Sequence, residues 1–211
     1  MTEIWDERAE LYRSSEAHRE GADLDLVVKW AAGARTALDV ATGGGHVARR
    51  LREAGLEVVS CDPAPGMRPD VVCRAEDLPF SDGSFDVVTC RIAAHHFADI
   101  HAAMSEMARV SGSLVLVVDN LYGGEHVEQA ERLRDPTHVR CYSEAEWRAL
   151  FAEAGLSVED VRLFEARIEL EPWLERSGCA GQDAKRVVEL LRDRIDGGFV
   201  SGTRIALKGR T

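Results

Sequence analysis

The chain has 211 residues, 45% hydrophobic and 30% charged, with a net charge of −11; this suits one domain large enough to bury a substantial core. That charge, with no basic stripe on any one predicted element, excludes a nucleic-acid partner and disfavours an anionic membrane surface. No stretch approaches the roughly 20 apolar residues of a membrane span, and the acidic opening "MTEIWDERAE" lacks the apolar run of a signal peptide.

Strand and helix patterns alternate along the chain. "TALDVAT" (36–42) reads as a short apolar strand and "GHVARRLREAG" (45–55) as a helix closed by glycine. "EVVSCD" (57–62), "DVVCRA" (70–75) and "FDVVTCRI" (85–92) read as three further strands. "DIHAAMSEMARV" (99–110) carries apolar residues at helical spacing, and "GSLVLVVDN" (112–120) is a fifth strand. Strands that are near-continuous apolar runs, separated by helices, predict a parallel sheet covered on both faces. "SEAEWRALFAEAG" (143–155) is a helix opened by a capping box of Ser143 and Glu146. "VEDVRLFEARIEL" (158–170) and "GTRIALKG" (202–209) are two final strands, with a helical insertion from Glu171 to Ile195 between them. That insertion is expected to cap the substrate, with Trp173 packing inward.

One connection is too short. Asp62 and Val71 lie nine positions apart, whereas a parallel crossover takes a dozen or more residues. The third strand is therefore expected to be short, at the sheet edge and joined by an irregular link. Its bare face needs cover. A second copy of the chain, giving a homodimer, is the preferred cover; the N-terminal segment "IWDERAELYRSSEAH" and plain exposure are the alternatives. The five cysteines, Cys61, Cys73, Cys90, Cys141 and Cys179, form no CxxC pair, so reduced thiols in a cytoplasmic protein are expected.

"LDVATGGGH" (38–46) links the first strand to the first helix of the sheet. Its glycines permit a tight turn and close ligand approach, and the helix start offers free amides. The second strand then ends in Asp62, where a carboxylate can accept both hydroxyls of a ribose. This is a nucleoside-binding βαβ unit. Gly43-x-Gly45-x-x-Ala48 also fits a dinucleotide fingerprint, so a nicotinamide oxidoreductase is one alternative; a non-catalytic cofactor-binding protein, motivated by the clipped crossover, is another. Asp39, just before the turn, is placed to meet the ammonium of an amino-acid-like ligand.

With "AEDLPFSDGSFDVVTC" (75–90) added to "LDVATGGGH", "CDPAPGM" (61–67) and "GSLVLVVD" (112–119), the sequence resembles the class I S-adenosylmethionine-dependent methyltransferases. Within them it looks like the type 11, small-molecule branch that includes ubiquinone- and menaquinone-biosynthesis enzymes. The resemblance implies a Rossmann-like, doubly wound α/β fold. Its sheet would be seven-stranded and mostly parallel, with an antiparallel C-terminal strand and a small helical cap. Residues 1–211 would form one domain: N-terminal helices in 1–35, a cofactor-binding half in 36–120, and a C-terminal half in 121–211 capped by residues 171–200.

The cofactor would be S-adenosylmethionine and the partner a small-molecule methyl acceptor. By resemblance, Asp39, Gly43 and Gly45 face the methionine part, Asp62 holds the ribose and Met67 packs on adenine. Ala75 and Glu76 line the adenine edge, and Cys90 and Arg91 lie beside the methionine group. Ala41 stands where the motif usually has glycine, which narrows the turn. Arg74 replaces a commonly acidic residue, which puts the contact to the adenine amino group in doubt.

His95 and His96 follow the fourth strand, at the sheet edge where open α/β folds bind ligands. One is expected to be structural. The other would face substrate as a neutral imidazole able to accept a proton. His138, in "DPTHVRCY", is a second candidate for that role. Adjacent histidines without an HxH or HExxH pattern do not predict a metal site.

Overall fold

Strands with apolar residues at every position need cover on two faces, and this sheet has it. The computed structural model describes residues 2–211. In chain order it places α1 (Thr2–Arg13), α2 (Glu16–Arg19), α3 (Ala22–Trp30), β1 (Thr36–Val40), α4 (His46–Glu53) and β2 (Glu57–Asp62). A single 3-10 turn, Pro65–Met67, leads to β3 (Val71–Val72), followed by β4 (Phe85–Arg91), α5 (Ile100–Val110) and β5 (Ser111–Asn120). Then come α6 (Glu125–Arg134), α7 (Glu144–Glu153), β6 (Ser157–Glu169), α8 (Leu170–Ser177), α9 (Gly181–Leu190), β7 (Ile195–Asp196) and β8 (Phe199–Arg210).

The sheet runs β3-β2-β1-β4-β5-β8-β6, with the two-residue β7 pairing β8 off this path. The expected seven strands are all present, and β7 is an eighth. The first five are parallel, and β8 lies antiparallel between β5 and β6. Strand order reverses between β1 and β4, which opens a crevice at their carboxyl ends.

Alternation along each strand feeds two cores. On one face Leu38, Val88, Val115 and Val117 meet Met104 and Met107 of α5 and Trp147 and Phe151 of α7. On the other Ala37, Val87, Leu114 and Leu116 meet Leu24 and Val27 of α3 and Val47 and Leu51 of α4. A smaller cluster joins Trp173 to Val187, Leu191, Val200 and Ala130 of α6. The capping box of α7 forms as its sequence predicts: the Ser143 hydroxyl accepts from the Glu146 amide, and the Glu146 carboxylate accepts from the Ser143 amide at 2.8 Å. Helix α6, like β7, goes beyond the elements expected from the sequence; its apolar residues are few and its pattern weak.

The short crossover takes the form its length requires. The link holds only the 3-10 turn, and β3 is two residues long at the sheet edge. Helix α1 covers the link. Ala9, Trp5 and Tyr12 pack on Ala64 and Met67, and Asp6 accepts from the Gly66 amide at 2.5 Å. The strand itself is not covered by α1: Val72 stays 55% exposed. All five cysteines are free. Among the described residues no helix is long and apolar enough to cross a membrane.

Candidate active site

A cleft opens at the carboxyl ends of β1, β2 and β4. The turn after β1, the start of α4 and helix α1 wall one part of it; the residues after β4, α8 and β8 wall the other. The turn is set by backbone conformation. Ala41, Gly43 and Gly45 all have positive φ, at 53°, 51° and 75°. For alanine that conformation costs roughly 1–2 kcal/mol, and glycine adopts it freely. Asp62 ties the turn to β2: its Oδ2 accepts from the Gly43 amide and its Oδ1 from the Ala64 amide, each at 2.9 Å. Burial pushes its carboxyl up, yet the residue lines the cleft. Each oxygen keeps a lone pair for a ligand hydroxyl. Met67, Ala75 and Glu76 line the same part of the cleft.

Asp39, Cys90 and His138, three expected site residues, are packed away from solvent. Asp39 is buried beneath the turn, with its oxygens taken by the Thr42 hydroxyl at 2.6 Å, the Thr89 hydroxyl at 3.0 Å and the Ala48 amide at 3.1 Å. Burial pushes its carboxyl up to about 6, and its bonds tie the turn to β1 and β4. Gly45 caps α4, and a Cβ there would meet nothing within 4 Å. Cys90 sits in the core under the site. His138 is buried against Glu128, Nε2 to Oε2 3.1 Å. Ala41, Gly43, Arg91, His95 and His96 do line the cleft.

The glycine turn also seats helix α1. A Cβ on Gly44 would come within 2.6 Å of the Tyr12 carbonyl oxygen, and one on Gly66 within 2.7 Å of Asp6. Both glycines are needed for α1 to lie down. Helix α1 supplies Trp5 and Tyr12 to the cleft wall. Their seven-residue spacing puts them on one face of the helix, and that was the legible signal. Gly44→Ala is therefore expected to lift α1 from the cleft. Protease cleavage within residues 2–13 should then rise, because Tyr12 cannot yield without moving the helix backbone. Unchanged cleavage would mean that α1 docks without this approach.

The two adjacent histidines have different environments. Just past the end of β4, Ile92, a β-branched residue, sits at φ 53°, which is a strained position. The turn after it holds His95 in the sheet edge: its amide donates to Asp119 Oδ2 at 2.8 Å and its Nδ1 to Asp119 Oδ1 at 2.5 Å. Burial opposes a proton on His95, but the Asp119 carboxylate outweighs it and raises its pKa. His96 is held well below the usual imidazole range, by burial and by neighbouring His95. Its Nδ1 lies 3.0 Å from the Thr137 carbonyl oxygen. A carbonyl only accepts, so Nδ1 carries the proton and Nε2 the lone pair. The imidazole edge packs on Trp5, ring centroids 4.7 Å apart.

Spacing predicted no metal site, yet folding brings Glu128, His138 and Cys141 within 4.8 Å of one another. Glu128 already accepts from His138 and from the Cys141 amide, and Arg132 lies 3.7 Å away. Within the trio His138 and the Cys141 amide both bond to Glu128, while the buried His138 Nδ1 has no partner among the described residues.

A family model described as methyltransferase domain matches residues 38–116. The uncharacterized methyltransferase YcgJ of Bacillus subtilis is 33% identical over 213 residues, covering 89% of this chain and 84% of its own. The crystal structure of YcgJ superposes with a TM-score of 0.78 at 29% identity, over 90% of this chain and 97% of that one. A geranyl diphosphate methyltransferase solved in complex with SAM has a TM-score of 0.63 at 17% identity, over 90% of this chain and 84% of its own; at that identity the likeness is one of fold.

Proposed function

The chain belongs to the methyltransferase family and is an S-adenosylmethionine-dependent methyltransferase, and from that premise we propose that it methylates an O, N or C nucleophile of a small molecule by in-line displacement. The nicotinamide and non-catalytic alternatives left open by the glycine turn give way to the family match. The observation that carries the reading is the pairing of the Gly43 amide with Asp62 at 2.9 Å, under a cleft wall where a Cβ on Gly43 would meet nothing within 4 Å. That is a cradle with an acceptor at its floor, and it fits a nucleoside with an extended tail. Met67 and Ala75 give the adenine an apolar slot, and Glu76 its polar edge.

The cofactor supplies a methyl group already activated on a sulfonium. The chain's own work is therefore mostly positioning. Asp62 binds the ribose hydroxyls. Helix α1 and Trp173 of α8 exclude water, and in this reading the insertion of α8 and α9 is the substrate cap. His96, neutral and lone-paired at Nε2, takes the acceptor's proton where the acceptor has one to lose. His95, pinned by Asp119, fixes the turn that presents His96. The exposed Val72 of β3 is where a second copy of the chain would dock.

Calorimetry with S-adenosylmethionine and S-adenosylhomocysteine tests the site. Asp62→Ala removes a charged acceptor and leaves two amides unpaired, so affinity is expected to fall by about 1–3 kcal/mol. Unchanged affinity would move the ribose elsewhere, and NAD binding by the wild type would overturn the reading.

A further inference from the structure

The protein carries a net charge of −11, yet one end of its cleft is cationic. Arg91 of β4, Arg134 of α6, Arg176 of α8 and Arg204 of β8 all line it. Four separate elements each deliver a guanidinium to one place, which surface solvation does not explain. Burying charge costs free energy unless it is paired, so their partners matter.

The pairing is incomplete. Arg91 Nε donates to Asp23 Oδ2 at 2.7 Å, and Arg204 Nη1 reaches the same oxygen only at 3.5 Å. Their side chains are 3% and 9% exposed. One buried nitrogen on each, Nη2 of Arg91 and Nε of Arg204, has no partner. Arg134 pairs with Glu131 at 2.9 Å and stacks over Trp173, 4.4 Å from the ring centroid. Among the described residues Arg176 has no carboxylate within ion-pair distance; its Nη1 donates to the Ser15 hydroxyl at 2.7 Å. Within ion-pair distance the four guanidiniums thus share two carboxylates, Asp23 and Glu131; Asp135 and Asp119 attract Arg134 and Arg204 from farther away. Burial lowers the proton affinity of both Arg176 and Arg204, as expected where a counter-charge is lacking. Beside them Trp5, Ile168 and Trp173 give the wall an apolar side.

We propose that this end of the cleft binds the methyl acceptor through an anionic group, a carboxylate or phosphate ester, held by Arg134, Arg176 and Arg204, with the acceptor's apolar body against Trp5, Ile168 and Trp173. The inference rests on the methyltransferase reading and adds to it the class of acceptor. Planar guanidiniums match carboxylate and phosphate oxygens in paired geometry. Stacking on Trp173 fixes the Arg134 fork before any ligand arrives. Arg91 is left out of the acceptor set because Asp23 and the His18 carbonyl, at 2.7 and 2.9 Å, already hold its guanidinium.

Benzoate and phenyl phosphate, with benzyl alcohol as neutral counterpart, are the probes. Each is titrated into the full-length protein, with and without saturating S-adenosylhomocysteine, and read by calorimetry and tryptophan fluorescence. At least one anion is expected to bind, more weakly as salt rises, and benzyl alcohol to bind far less. Arg176→Gln and Arg204→Gln should each weaken the anion by about tenfold or more. Arg176→Lys should recover part of the loss, and S-adenosylhomocysteine affinity should hold in all three variants. Equal binding of benzyl alcohol, or anion binding unmoved by both glutamines, would overturn the proposal. So would loss of S-adenosylhomocysteine affinity in Arg176→Gln, because the arginines would then serve the methionine carboxylate. Failure of the wild type to bind S-adenosylhomocysteine at all refutes the methyltransferase reading instead, and the titrations without it show that separately.

Discussion

Gly43→Val is expected to abolish binding of S-adenosylmethionine while leaving the protein folded. Gly43 sits at φ 51° in the turn after β1, and a Cβ there meets nothing within 4 Å. The added side chain therefore enters the cleft itself. Two effects combine, strain in the backbone and occupied space, and they can be separated. A left-handed conformation costs a non-glycine residue roughly 1–2 kcal/mol, which lowers Tm by about 2–8 °C in a chain of this size. Gly45→Val imposes the same kind of strain at φ 75°, but at the cap of α4 rather than at the amide paired with Asp62. Both variants should lose a similar amount of Tm, and only Gly43→Val should lose affinity by more than about 100-fold, roughly 2.7 kcal/mol. If calorimetry finds the two equally impaired, the turn's conformation rather than the space above Gly43 controls binding.

The second large effect belongs to His96. Proton removal by a placed base contributes about 10²–10⁴ in rate. For an acceptor that must lose a proton, His96→Gln should lower kcat by that range, with S-adenosylhomocysteine affinity within about twofold. The pH profile gives an independent readout. His96 has its pKa lowered in the folded protein, so it stays neutral, and competent as a base, as pH falls through 6.5. Activity should hold from neutral pH to below that value and fall only as His96 itself takes a proton. The same sign applies to stability. The unfolded chain binds a proton at this histidine from about pH 6.5 downward, and the folded chain refuses it until lower pH. Stability from this group is whole above 6.5 and is lost as pH falls toward the folded pKa; His96→Gln removes that slope. His95 has the opposite shift and would show the opposite sign, with stability lost as pH rises through its raised pKa. A variant that keeps kcat within about threefold, with an unchanged acid limb, would remove His96 from the chemistry.

The order of elements, the parallel sheet and the glycine turn with Asp62 were legible in the residues because each is local. Strand runs, a cap such as Ser143 with Glu146, and a turn followed by an acidic strand end all declare themselves within a few positions. Even the stunted β3 was legible, since nine positions cannot hold a helix and two loops. Side-chain direction was not. Asp39 and Cys90 are in the right strands, but the pleat turns both into the core, where Thr42, Thr89 and Ala48 take the carboxylate. Gly44 looked like a ligand contact and proves also to be the contact surface for α1, a helix 32 residues earlier at Tyr12.

By itself the sequence determined the α/β class, the place of the glycine turn and the edge position of the third strand, because backbone length and hydrophobic period fix these without reference to distant neighbours. Only the tertiary structure set the two histidines apart, since Asp119 reaches His95 and raises its pKa while burial beside Thr137 lowers that of His96, from 24 and 41 positions away. It alone gathered Arg91, Arg134, Arg176 and Arg204 from four elements into one buried cationic end of the cleft. The reason is electrostatic: a charge's behaviour depends on the burial and the counter-charges around it, and both are products of packing.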